Sequence, residues 1–138
     1  MAKLSAFSDG EKQTLRFGPL WVFQVIAGAD RDWDENESKA LHDWIMANSP
    51  KFKEVTKASF ADIAKDFDKN MQKFAVDSRK AGDGLREVKK LIETKAADEA
   101  VEYKKALMDL GKYIASVSDS ISDTEQQTLD KMKQILGA

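Results

Sequence analysis

The sequence predicts an all-α protein: one compact bundle of about six or seven helices containing two pseudo-symmetric helix-loop-helix hairpins. Three observations predict it. Apolar residues recur at spacings of three and four along most of the chain, and no run alternates as a strand does. Only two prolines, Pro19 and Pro50, and seven glycines interrupt the 138 residues. The pattern of residues 26–41 also returns at 114–129, at a constant offset of 88 positions.

The first helix is expected from about Asp9 to about Ala29. Ser8 and Glu11 stand at capping-box spacing, so each can bond the other's backbone amide. Leu15, Trp21, Phe23, Val25 and Ile26 lie nearly all round this helix, which makes it central. Pro19 removes an amide donor and crowds the carbonyl of Leu15, so a kink or restart is expected there. Asp34 and Glu37 form a second box opening a helix to about Ala47, with Leu41, Trp44 and Ile45 inward. Asn48-Ser49-Pro50 ends it, and Ser49 with Pro50 at the first position suits a short helix to Lys57.

Ser59 is read as the cap of a fourth helix, whose stripe is Phe60, Ile63, Ala64, Phe67, Met71 and Phe74. Lys65, Lys69 and Lys73 line another face, read as solvated and paired with Asp62, Asp66 and Asp68. Gly82-Asp83-Gly84 is expected to terminate this helix near Ala81. Leu85, Val88, Leu91 and Ile92 mark a fifth helix, which Thr94 to Ala97 join to or part from a sixth. The sixth carries Ala100, Tyr103, Leu107, Leu110, Ile114 and Val117; Ser122 and Glu125 box the last helix, which stops at Gly137.

The repeat pairs Ile26-Ala27 with Ile114-Ala115, Trp33 with Ile121, Asp34 with Ser122, Glu37 with Glu125 and Leu41 with Leu129. Each copy is a core helix, a short loop, an apolar anchor, a cap and a second helix. Loops that short predict antiparallel neighbours, and a pseudo-twofold docking would bury both core helices against each other.

Composition excludes several functions. With no cysteine there is no disulfide, thiol catalysis or Cys-ligated zinc. A net charge of -2 offers no field for nucleic acid. The longest uncharged run, Phe17 to Ala29, is 13 residues, whereas a membrane span needs about 20. The charged N-terminal segment does not read as a signal peptide, so a cytoplasmic location and one domain over 1–138 are expected.

Asp30, Asp32, Asp34, Glu35 and Glu37 place five carboxylates within eight residues, the oxygen-rich chemistry that Ca²⁺ or Mg²⁺ prefers. Asp30, Asp32 and Asp34 match the first three ligand positions of an EF-hand, but Glu35 and Leu41 stand where its glycine and final glutamate belong. Asp34 and Glu37 also serve as caps. Asp30 follows the negative end of the first helix, where an acid calls for a positive neighbour such as Arg31 or a cation. His42, the only histidine, has no carboxylate at helical spacing. Trp21, Trp33 and Trp44 are read as packing residues, Trp33 the most exposed.

The segment Ala29-Asp30-Arg31-Asp32-Trp33-Asp34-Glu35-Asn36-Glu37 and its echo Val117-Ser118-Asp119-Ser120-Ile121-Ser122-Asp123-Thr124-Glu125 resemble the TerB-like (tellurite-resistance TerB) superfamily. The resemblance covers about Phe17 to Leu41 and Lys112 to Gly137, with Arg31 and Asp119 in place of the loop glycine and Ser118 in place of the first acid. It implies an all-helical fold and a non-enzymatic role tied to stress response, metal sensing or envelope-associated complexes. The expected function is an adaptor or sensor that binds a protein partner or a divalent cation through the two loops. Asp30, Asp34 and Glu37 form the first candidate site, and Asp119, Asp123 and Glu125 a weaker second one. The alternatives are a ligand-free interaction module, with an apolar patch around Phe52, Phe60 or Trp44, and a metal-dependent hydrolase.

Overall fold

A computed structural model describes residues 4–27, 35–117 and 123–137, without the side chains of 27, 35–38, 117 and 123–125. The described residues form seven α-helices and no strand: α1 (Asp9–Ala27), α2 (Glu35–Asn48), α3 (Glu54–Lys65), α4 (Phe67–Ala75), α5 (Ala81–Lys95), α6 (Ala100–Val117) and α7 (Asp123–Leu136). Single 3-10 turns occupy Leu4–Ala6, Ser49–Lys51 and Ala97–Glu99.

Helix α1 is the centre, as its all-round apolar sequence predicts. Leu15, Phe17, Leu20, Trp21, Val22 and Phe23 are fully buried, and α1 packs on α3, α5, α6 and α7. The Ser8–Glu11 box forms: the Ser8 amide donates to Glu11 Oε1 at 2.8 Å and the Glu11 amide to Ser8 Oγ at 3.2 Å. Lys95 reaches Glu11 Oε1 at 2.6 Å, and its hydrogen bond, aided by the Ser8 amide, holds the Glu11 carboxyl below its ordinary pKa.

Pro19 does not make the helix restart; α1 is helical from Asp9 through Ala27. The reason comes from α6. Pro19 has no N–H for the Leu15 carbonyl, and the buried Tyr103 hydroxyl donates to that oxygen at 2.6 Å instead. Gly18 leaves the room this needs, because a Cβ there would stand 2.3 Å from the Tyr103 oxygen. Three residues thus convert a helix-breaking proline into the contact that fixes α1 on α6, the core pairing the repeat predicted.

The middle of the chain departs from expectation in four places. No helix spans Pro50 to Lys57; a 3-10 turn at Ser49–Lys51 gives way to α3 at Glu54, and Ser49 makes no side-chain cap. Ser59 lies inside α3, buried, with its hydroxyl donating to the Val55 carbonyl at 2.8 Å. The predicted long helix from Ser59 to Ala81 is two helices parted at Asp66, where the Asn70 amide donates to the Asp62 and Asp66 carbonyls at 2.9 and 3.0 Å. Finally, Gly82-Asp83-Gly84 does not end a helix but opens α5. Gly84 is there for packing, since a Cβ would meet the Trp21 indole at 2.3 Å.

The N-terminus of α3 is held by a residue far along the chain. Glu99, 1% exposed, accepts from the Thr56 amide and hydroxyl, both at 2.8 Å, and from the Val55 amide at 3.1 Å. The carboxylate satisfies amides that a new helix leaves without partners and sits at the positive end of its dipole.

The second helices of the two repeats differ in their neighbours. Helix α7 lies on α5, α6 and α1. Helix α2, expected beside α1 across a short loop, makes little contact with it among the described residues and lies on α6 and α3. At the other end of α7, Gly137 adopts φ +68° and its amide donates to the Lys133 carbonyl at 2.9 Å, the glycine stop read from the sequence.

Candidate functional site

Asp30, Asp34 and Asp119 lie outside the described residues. Glu37 falls in α2 and Asp123 and Glu125 in α7 by backbone, and their side chains are likewise outside the description. The capping boxes at Asp34 and Ser122, and Trp33, share that position. Among the described residues no three His, Cys, Asp or Glu side chains stand together as a metal site. His42 Nδ1 lies 3.8 Å from the Asp43 carboxylate, both half exposed.

The aromatic patch expected around Phe52, Phe60 and Trp44 is not an open surface. Phe60 is fully buried, and Phe52 and Trp44 close over it with ring centroids 5.5 and 5.8 Å away. Phe60 in turn meets Tyr103 edge-on at 5.9 Å, so this cluster extends the core.

Two polar clusters centre on Arg79 and on Arg16, whose Nε is buried without a hydrogen-bond partner among the described residues. Arg79 lies over the Trp21 ring at 4.9 Å, forks onto Asp77 at 2.8 Å and reaches Glu87 at 2.5 Å and Thr14 at 3.0 Å. Its hydrogen bonds to Asp77 raise the guanidinium pKa, so it stays charged and straps the 77–80 segment to α1 and α5. Between α1 and the α3–α4 break, Asp62 pairs with Arg16 at 3.6 Å rather than with the lysine row, and Lys65, Lys69 and Lys73 are exposed.

Among the grooves the core leaves at the surface is one of about 470 Å³ between α6 and α7. Helix α6 turns Tyr103, Leu107, Leu110 and Ile114 inward, and α7 turns Leu129, Met132 and Leu136. The two come close at Gly111, where a Cβ would stand 3.0 Å from Leu129 and 3.3 Å from Met132. Beside this contact the groove follows α6 from Val101 to Lys112 and α7 from Gln126 to Gly137. Its apolar lining is Val101, 81% exposed, with the buried Met108 and Leu129 at its base.

Lysines dominate its rim. Lys104, Lys105 and Lys112 come from α6 and Lys133 from α7, against Asp109 and Asp130. The two acids are engaged: Asp109 with Lys105 at 2.9 Å, and Asp130 as acceptor from the Gln126 amide at 3.1 Å. Lys104 turns away to pair with Glu93 of α5, and this hydrogen bond holds the Glu93 carboxyl below its ordinary pKa. Lys112 and Lys133 have no ion-pair partner among the described residues.

The inward stripe of α6 marks the core side of that helix and gives no sign of this groove. The available signal was Val101, an apolar residue outside the inward stripe and followed by Lys104, Lys105 and Lys112. Set against known proteins, the chain matches no family model, no curated protein and no solved structure.

Proposed function

We propose that this chain is a non-enzymatic helical adaptor domain that holds a protein partner in the α6–α7 groove. One observation carries the reading: a groove with an apolar floor and a lysine-rich rim lies open between α6 and α7, whereas the aromatic cluster of Trp44, Phe52 and Phe60 is closed over by its own rings. The exposed Val101, beside the buried Met108 and Leu129, presents apolar area that association would remove from water. The TerB-like resemblance of 17–41 and 112–137 supports a role in binding rather than catalysis. The loop carrying Asp30, Asp34 and Glu37 is the rival seat for a partner or a cation, and its support is the acidic sequence itself.

Photo-crosslinking in source cells tests the groove. A crosslinking residue in place of Val101 is expected to give a covalent adduct with a discrete partner. The same residue in place of Met46, which is 59% exposed on α2, serves as the control and is expected to give none. No adduct from position 101, or the same adducts from both positions, would overturn the proposal.

A further inference from the structure

The chemistry of the partner can be taken one step further, and this step rests on the groove being its seat. We infer that the segment bound between α6 and α7 is an acidic amphipathic helix of about three turns.

Length comes first. From Val101 to Lys112 the α6 wall covers about 16 Å at the rise of an α-helix, the span of roughly three turns in an occupant lying alongside. The floor then sets the apolar face. Val101 and Met108 stand seven residues apart on α6, with Leu129 facing them from α7. That row suits apolar anchors at i, i+3 or i+4, and i+7 on a docked helix.

The walls decide between a helix and an extended strand. Both walls are helices, whose backbone groups are spent on their own ladders. A strand laid there would bring its N–H and C=O groups onto an apolar floor with nothing to bond them. A helix arrives with those groups already satisfied.

Charge sets the flanks. Lys105 is taken up by Asp109, which leaves Lys112 on one wall and Lys133 on the other without an ion-pair partner among the described residues, against Asp130, whose carboxylate accepts from the neutral Gln126 side chain. Glutamates or aspartates on both sides of the apolar stripe would meet these ammonium groups. Such rim pairs are solvent-exposed, so each adds little and their sum is sensitive to salt.

Fluorescence anisotropy with the full chain and labelled synthetic peptides tests this. Three peptides share one leucine stripe: one flanked by glutamate, one by lysine, and one glutamate-flanked with a central proline. The acidic helix is expected to bind about tenfold more tightly than either of the others, with affinity falling as NaCl rises. The double variant Lys112→Glu/Lys133→Glu, at two exposed positions, is expected to keep its melting temperature and to reverse the preference between acidic and basic peptides. Equal binding of acidic and basic peptides, or a preference untouched by the charge reversal, overturns the inference. So does a straight-chain carboxylate that displaces the acidic peptide at equal concentration, which would assign the groove to anionic amphiphiles. If position 101 still crosslinks a protein partner while the acidic peptide shows no advantage, only the partner's chemistry is wrong. Failure of the crosslink removes the groove itself.

Discussion

Replacing Glu99 with alanine is expected to destabilise the chain by about 3–5 kcal/mol, a fall in melting temperature on the order of 10 °C or more. The change removes the acceptor for two backbone amides and one hydroxyl at the start of α3, all of them buried. Each group left unsatisfied costs about 1–3 kcal/mol, and the lost side chain leaves a cavity beside them. Glu99→Gln keeps one carbonyl oxygen for the Thr56 pair while losing the charge, so about 1–2 kcal/mol is expected. Thermal melts of the two variants check this. Equal melting temperatures for wild type and Glu99→Ala would mean that water takes over the acceptor role.

The second large effect concerns the contact between α1 and α6. Tyr103→Phe strands the Leu15 carbonyl in the core and is expected to cost about 1–3 kcal/mol. Gly18→Ala forces a methyl group onto the Tyr103 oxygen and is expected to cost at least as much. Because the carbonyl is orphaned by Pro19, the cost of Tyr103→Phe should shrink in a Pro19→Ala background, where residue 19 regains its amide. A double-mutant cycle by urea unfolding measures that coupling, and no coupling would show that the hydroxyl does not replace the missing donor.

The same contact is sensitive to alkali. Burial pushes the Tyr103 phenol above its ordinary value of 10.0. A group whose acidity is suppressed only in the folded chain contributes its full stability below the unfolded pKa. As pH rises from there toward the folded value, the unfolded chain releases the proton while the folded chain retains it, and stability falls. The slope is about 1.4 kcal/mol per pH unit from this one group above roughly pH 10. Tyr103→Phe should lack that component when urea midpoints are compared across pH 9–11.

Local signals were legible in the sequence. The Ser8–Glu11 box, the all-round apolar α1, the stripes of α5 and α6 and the Gly137 stop all depend on residues a few positions apart. The misread residues depend on partners the sequence places far away. Gly84 looks like a terminator until Trp21 lies on it, and Pro19 looks like a break until Tyr103 arrives from 84 positions later. Ser59 resembles a cap, yet the cap of α3 is Glu99, 43 residues from Thr56. Asn70 reads as one more helical residue, though its amide closes over the end of α3. The groove was the hardest to see, because it is defined by what two helices leave uncovered.

These contacts also give the groove its walls. Tyr103 faces α1 from the inner side of α6, and Gly111 brings Leu129 and Met132 of α7 close to the same helix. The outward face, with Val101 and the lysines, is thereby carried on a helix fixed from behind.

If partner capture belongs to this groove rather than to the acidic loop, one comparison shows it directly. Affinity capture from source cells is run with the full chain, with Val101→Asp and with Asp30→Ala, each with and without a divalent-cation chelator. The crosslinked partner should be lost by Val101→Asp, whose exposed position leaves the melting temperature unchanged, and kept by Asp30→Ala and in chelator. A partner kept by Val101→Asp but lost on Asp30→Ala or chelation would contradict this and return the function to the loop.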